Sequence, residues 1–149
     1  MKIIAPPPLI YFLTILEGII LQYYAPIYVF EPNIPILILA VFLFVAGCVL
    51  SVWSLFTMKA VKTSVNPYKI PTTLVIEGPY KFSRNPIYLA LTSIYLAIAL
   101  VLNSLWLFLL LIPMLTLLWW GVIQREEIQL EENFGEAYLA YKKRVRCWL

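Results

Sequence analysis

Reactive side chains are few in this chain, and they fall in three places. The sequence contains no histidine and no aspartate, which removes the commonest general base and the commonest metal ligand. No metal centre is expected. The first group is Gly78-Pro79-Tyr80-Lys81-Phe82-Ser83-Arg84-Asn85-Pro86-Ile87-Tyr88. Asn85 suits a helix N-cap, Pro86 the first helical position and Arg84 a juxtamembrane anchor. The same segment presents free helix amides, a cation and two tyrosines, a setting that can receive an anionic group. The second group, Arg125-Glu126-Glu127, closes a long apolar run. As a solvated acidic helix face it carries a cost, because Glu127/Glu131 and Glu132/Glu136 are like-charge pairs four residues apart. A basic loop on the same side is expected to relieve them. The third is Glu17, alone in an apolar stretch. Intramembrane ionisable residues are usually paired or functional, and a structural hydrogen bond and a chemical role both stay open.

The elements that must position these groups are dictated by composition. Of 149 residues, 62% are hydrophobic and only 13% charged, and the mean hydropathy is +0.87. A soluble domain of this length cannot hide so much apolar surface, so the bilayer is the expected solvent. The two cysteines, Cys48 and Cys147, are too few for a disulfide framework and too far apart in character to meet, so both are read as free thiols. The glycines at 18, 47, 78, 121 and 135 form no dinucleotide-binding fingerprint. No Walker loop, zinc spacing or nucleophile elbow is present. The aromatics sit in apolar runs and do not interleave with a basic patch, which argues against nucleic acid as a partner.

Hydropathy divides the chain into one membrane unit with about four spans, over residues 9–30, 35–58, 86–102 and 104–124. The first is long enough to cross a ~30 Å hydrocarbon core. It does not read as a signal peptide, since Glu17 interrupts it and no small-residue cleavage site follows. Pro26, Pro32 and Pro35 punctuate a short connector. Pro86 to Ile123 is uncharged throughout. As one helix it would be about 57 Å long, nearly twice the hydrocarbon thickness. Two antiparallel spans turning at Asn103-Ser104 are the economical solution, with Pro113 expected to kink the second. The loop 59–85 has a short apolar centre, Leu74-Val75-Ile76, expected to pack on the membrane face. The tail 125–149 is expected to be helical, with Gly135 as a C-cap. A second short helix from Glu136 then sets Tyr138, Tyr141 and Val145 on one face, as for a helix lying among headgroups.

Four spans place the N-terminus, the 59–85 loop and the tail on one side, and all eleven Lys and Arg with them. The positive-inside rule makes that side cytoplasmic. A hairpin of the last two spans also sets the start of one and the end of the other at the same depth. Arg84-Asn85 and Arg125-Glu127 are therefore expected to be neighbours. Two cations and two carboxylates at one interface make a site for a zwitterion.

These segments together resemble the isoprenylcysteine carboxyl methyltransferase and phospholipid methyltransferase family of integral membrane enzymes. The resemblance runs from about Thr63 to Leu149. It is carried by Leu74-Val75, Gly78-Pro79-Tyr80, Arg84-Asn85-Pro86-Ile87-Tyr88, the apolar hairpin, Glu126-Glu127, Leu130, Phe134-Gly135, Tyr138, Tyr141 and Arg144-Val145. It implies an enzyme that uses S-adenosylmethionine at the cytoplasmic face, with a lipophilic small molecule entering from the bilayer among membrane lipids. Gly78, Tyr80, Asn85, Pro86 and Tyr88 would then line the cofactor, and Glu126 and Glu127 would hold its ribose or amino group. Arg84 and Arg125 would orient a carboxylate in catalysis. The better-known members read Arg-His-Pro where this chain has Arg84-Asn85-Pro86. Asparagine cannot titrate, so no imidazole base operates here. Two other classes stand beside this reading: a non-catalytic lipid-binding or assembly protein, and a small transporter using Glu17. The pattern specifies no oligomeric state.

Overall fold

The computed structural model describes residues 4–61 and 72–148. Lys2, Lys62 and Lys69, which entered the charge reading, and Thr63, where the resemblance begins, lie outside the described residues. Those described form an all-helical chain whose only ladder contact is an isolated antiparallel bridge between Tyr28 and Ser104.

Helix α1 spans Pro7–Tyr24, with proline in its first turn where the missing amide costs nothing. It stops before Pro26, because the residue preceding a proline is driven out of the helical region. The helix therefore ends short of the expected bound at Phe30, and residues 25–33 form a connector. Helix α2, Ile34–Ala60, begins at an N-cap: the Asn33 side-chain oxygen accepts from the amide of Ile36 at 3.0 Å. A 3-10 turn, Gly78–Lys81, leads into α3, Pro86–Leu102. The chain reverses at Asn103, whose φ of 47° lies in the left-handed region asparagine tolerates. Helix α4, Leu105–Leu118, runs through Pro113. A π turn follows over Trp119–Ile123, and α5, Gln124–Phe134, continues the same rod. Gly135, at φ 49°, ends it, and α6 follows over Glu136–Arg144.

Two of these rods, Ile34–Ala60 and the continuous Leu105–Phe134, are long and apolar enough to cross a membrane, and α3 is apolar but shorter. The second rod is about 45 Å long, about 15 Å more than a ~30 Å core requires. Helix α2 packs along α3, and α1 along α4. Small residues permit both approaches: a Cβ on Gly47 would lie 2.8 Å from the Ala90 carbonyl, and one on Gly18 would clash with Leu107. The core between α1, α3 and α4 is built on Tyr95, Leu107, Leu118 and Ile123. Tyr95 donates to the Leu107 carbonyl at 2.7 Å, so its hydroxyl is not stranded in apolar surroundings. Phe42, Val49 and Phe56 of α2 remain exposed, a face suited to lipid.

The two reversals lie at one end of the bundle. Asn103 Oδ1 accepts from the amides of Val29 and Phe30 at 3.0 and 3.2 Å, and Nδ2 donates to the Phe30 carbonyl at 2.6 Å. At the other end, the Ile4 amide meets the Gly121 carbonyl at 3.2 Å, and the Arg84 amide meets the Arg146 carbonyl at 3.0 Å. Ile4, the 72–85 segment and the tail as far as Trp148 thus gather at a common end.

Candidate functional site

At that end, the start of α3, the last turns of the α4–α5 rod and the inner face of α6 enclose a cavity of about 530 Å³, within the usual range for small-molecule sites. Its polar wall carries Tyr80, Arg84, Glu126, Glu127, Tyr138 and Tyr141. Its apolar wall comes from Leu55 and Met58 of α2, Ile87 and Leu91 of α3, Leu74, Val75 and the prolines before and at the start of α1. A polar end therefore meets an apolar side reaching toward the membrane-spanning helices.

Arg84 and Glu127 come from opposite arms of the hairpin, and Arg84 Nη2 lies 3.0 Å from Glu127 Oε1. Their side chains are only 10% and 13% exposed, so water does little to screen the pair. Lys142 of α6 reaches Glu127 Oε2 at 2.9 Å and also pairs with Glu131. The like-charge pair on α5 is thus relieved by Arg84 of the basic loop, as expected, and also by Lys142 of the tail. Arg84 Nε and Nη1 are buried and without a hydrogen-bond partner among the described residues. Buried donors of this kind are costly unless something accepts from them.

Glu126 sits one residue back, accepting from the Tyr88 hydroxyl at 2.7 Å. Burial pushes its carboxyl up to about 7, and the Tyr88 hydrogen bond offsets part of that rise. Burial likewise pushes the phenols of Tyr80, Tyr138 and Tyr141 well above their ordinary range, so they remain neutral donors.

The residues picked from sequence divide clearly. Arg84, Tyr80, Asn85, Pro86, Tyr88, Glu126 and Glu127 all line the cavity. Arg125 does not. Gly78 does not either: at φ 58° it sits against α2, where a Cβ would come 2.7 Å from the Thr57 hydroxyl. Asn85 holds the N-cap position of α3 but makes no side-chain cap. Its Nδ2 donates instead to the Cys147 carbonyl at 3.1 Å and lies 3.2 Å from Cys147 Sγ. Glu17 is exposed on α1 and outside the cavity. Both cysteines are free thiols.

Sequence reasoning missed the inward turn of α6. Tyr138 and Tyr141 are buried, and the Tyr141 hydroxyl donates to the Tyr80 carbonyl at 2.7 Å. The helix expected to lie among headgroups turns its tyrosine face onto the cavity. The spacing of three between the tyrosines was the available signal.

The family model described as phospholipid methyltransferase matches residues 35–137, well over half of the chain. The chain belongs to the phospholipid methyltransferase family. The match takes in α2, which the sequence resemblance did not include, and ends at the start of α6. No curated protein and no solved structure matches the chain. Membership makes this a membrane methyltransferase in general class, and the two long apolar rods agree with it.

Proposed function

We propose that this chain is a multi-pass membrane methyltransferase that uses S-adenosylmethionine to methylate a small lipophilic acceptor at the cytoplasmic face. The observation that carries the reading is the buried Arg84–Glu127 pair in the cavity wall, with two guanidinium nitrogens lacking an acceptor. A carboxylate fits those donors, and a guanidinium fork suits it better than a lone ammonium does. Glu126 and Glu127 are acceptors for an ammonium group or for ribose hydroxyls. One wall of the cavity thus offers both signs of charge, as the amino-acid end of the cofactor requires.

A bound S-adenosylmethionine supplies the electrophile, a methyl group on a sulfonium. The work left to the protein is alignment and exclusion of water, which together contribute about 7–11 kcal/mol in well-oriented reactions. Leu55, Met58 and Leu91 offer an apolar bed for the acceptor's hydrocarbon part. With no histidine in the chain, an anionic acceptor needs no base, whereas an amine or thiol would give its proton to Glu126 or to water. In this reading α1, α2, α3 and the α4–α5 rod all cross the bilayer, and the basic segments face the cytoplasm.

The test is saturable binding of S-adenosylhomocysteine to detergent-purified protein. It is joined to incubation of membranes with methyl-labelled cofactor, followed by identification of the labelled lipid. Absence of binding at millimolar ligand by folded protein overturns the proposal.

A further inference from the structure

The C-terminal segment after α6 runs extended beneath the start of α3 and is tied to it at three successive residues. The Arg84 amide donates to the Arg146 carbonyl at 3.0 Å, the Ser83 hydroxyl to the Cys147 carbonyl at 3.2 Å, and Asn85 Nδ2 to the same carbonyl at 3.1 Å. The Ser83 hydroxyl in turn accepts from the Asn85 amide at 3.2 Å. Cys147 and Trp148 also pack against the hydrophobic core. This strap lies beyond the residues that match the family, 35–137, yet it holds the backbone that carries Arg84. We infer that Asn85 is a positioning residue: it clasps the Val145–Trp148 strap and so fixes the Arg84 guanidinium for its anionic ligand, without touching that ligand itself.

Three features of the clasp support this. The Asn85 amide group spends its donors on Cys147, one on the carbonyl and one toward Sγ. Arg84, between the two tied side chains, cannot shift without breaking the pairing of its own amide. Arg84 is also nine-tenths buried, paired through Nη2 with Glu127 and with Nε and Nη1 unpartnered, so its aim depends on the backbone beneath it as well as on Glu127. If the strap favours ligand binding, linkage requires that the ligand favour the closed strap by the same factor.

The inference rests on the methyltransferase reading for the identity of the ligand, and Cys147 supplies a readout that does not. In a Cys48→Ser background, Cys147 is the single thiol, and its alkylation by N-ethylmaleimide reports strap opening. Loss of the clasp bonds in Asn85→Ala is expected to speed alkylation about tenfold and to weaken S-adenosylhomocysteine binding by a similar factor. Asn85→His, which keeps a donor, restores both. In the parent, saturating S-adenosylhomocysteine slows alkylation; this arm decides the matter if Asn85→Ala does not fold, and absence of protection then overturns the inference. Weaker binding with an unchanged alkylation rate would mean that Asn85 is a direct ligand, and would overturn the inference while sparing the proposed function. A folded parent protein that binds no S-adenosylhomocysteine overturns both, whatever the alkylation rate of Asn85→Ala.

Discussion

Arg84 Nη2 stands 3.0 Å from Glu127 Oε1, one at the threshold of α3 and the other at the far end of the returning rod. A buried ion pair is a poor source of stability, since desolvation offsets most of its attraction, but removing one partner strands the other. Arg84→Ala should therefore lower stability by about 2 kcal/mol, less than the full cost of stranding because Lys142 still reaches Glu127. It should weaken S-adenosylhomocysteine about a hundredfold through loss of charge-assisted hydrogen bonds. The paired replacement Arg84→Met with Glu127→Leu separates the two effects. Thermal unfolding in detergent should return toward the parent value while binding stays lost. Recovery of binding in the apolar pair would remove the guanidinium from the site.

Helix α2 meets α3 through Gly47, where an added methyl would press on the Ala90 carbonyl at 2.8 Å and on Ile94. A backbone oxygen cannot step aside as a side chain can. Gly47→Ala should cost about 1–3 kcal/mol by overpacking, in spite of alanine's better helix propensity. Because α2 lends Leu55 and Met58 to the cavity, the same variant should raise KM for the lipophilic acceptor with less effect on S-adenosylhomocysteine affinity. Equal losses in both would mean that the whole bundle, and not the acceptor wall, had shifted.

The meeting of Arg84 and Glu127 was legible in the sequence because it follows from length alone: a run too long for one crossing, a turn signal near its middle, and equal arms. The bounds of α1 were less legible. Hydropathy counts side chains, and it carried the span to Phe30, whereas Pro26 acts on the backbone and ended the helix at Tyr24. Tyr138 and Tyr141 declared a face without declaring what would cover it, and in the structure that face closes the protein's own cavity. The bond between Asn85 and Cys147 joins segments with no shared periodicity. Local rules favoured an N-cap there, and a distant carbonyl won the side chain.

Asn103 was read as a turn residue, and the structure shows what asparagine adds to the turn. Glycine would adopt φ 47° more easily, but it could not bind the amides of Val29 and Phe30 and the Phe30 carbonyl. Asn103→Gly is expected to destabilise by about 2 kcal/mol, the loss of side-chain hydrogen bonds exceeding the relief of strain. Asn103→Ala should cost more, because it loses the bonds and keeps the strain. Proteolysis of the 25–33 connector, followed by gel or mass spectrometry, reads the effect directly. Cleavage no faster in Asn103→Gly than in the parent would show that the connector is held by other means.

Glu126 makes the enzyme's response to pH a two-sided test. Its carboxyl is raised by burial to about 7 from 4.5, so the folded protein binds this proton more tightly than the unfolded chain does. Its contribution to stability is therefore full below about pH 4.5, declines as pH rises toward 7, and is flat above. Tyr88 from α3 and Tyr80 from the 3-10 turn face this carboxyl, and phenols do not titrate in that window. Ligand affinity should run the opposite way. A carboxylate that accepts from ribose hydroxyls or an ammonium must be ionised, so S-adenosylhomocysteine binding should strengthen as pH passes through 7. Glu126→Gln keeps an acceptor for Tyr88 and cannot ionise; relative to the parent it should flatten both slopes, with a gain in stability near pH 8. Calorimetric titration and thermal unfolding from pH 5 to 8.5 measure the two together. A binding slope that survives in Glu126→Gln assigns the titration to another group and leaves Glu126 a structural partner of Tyr88.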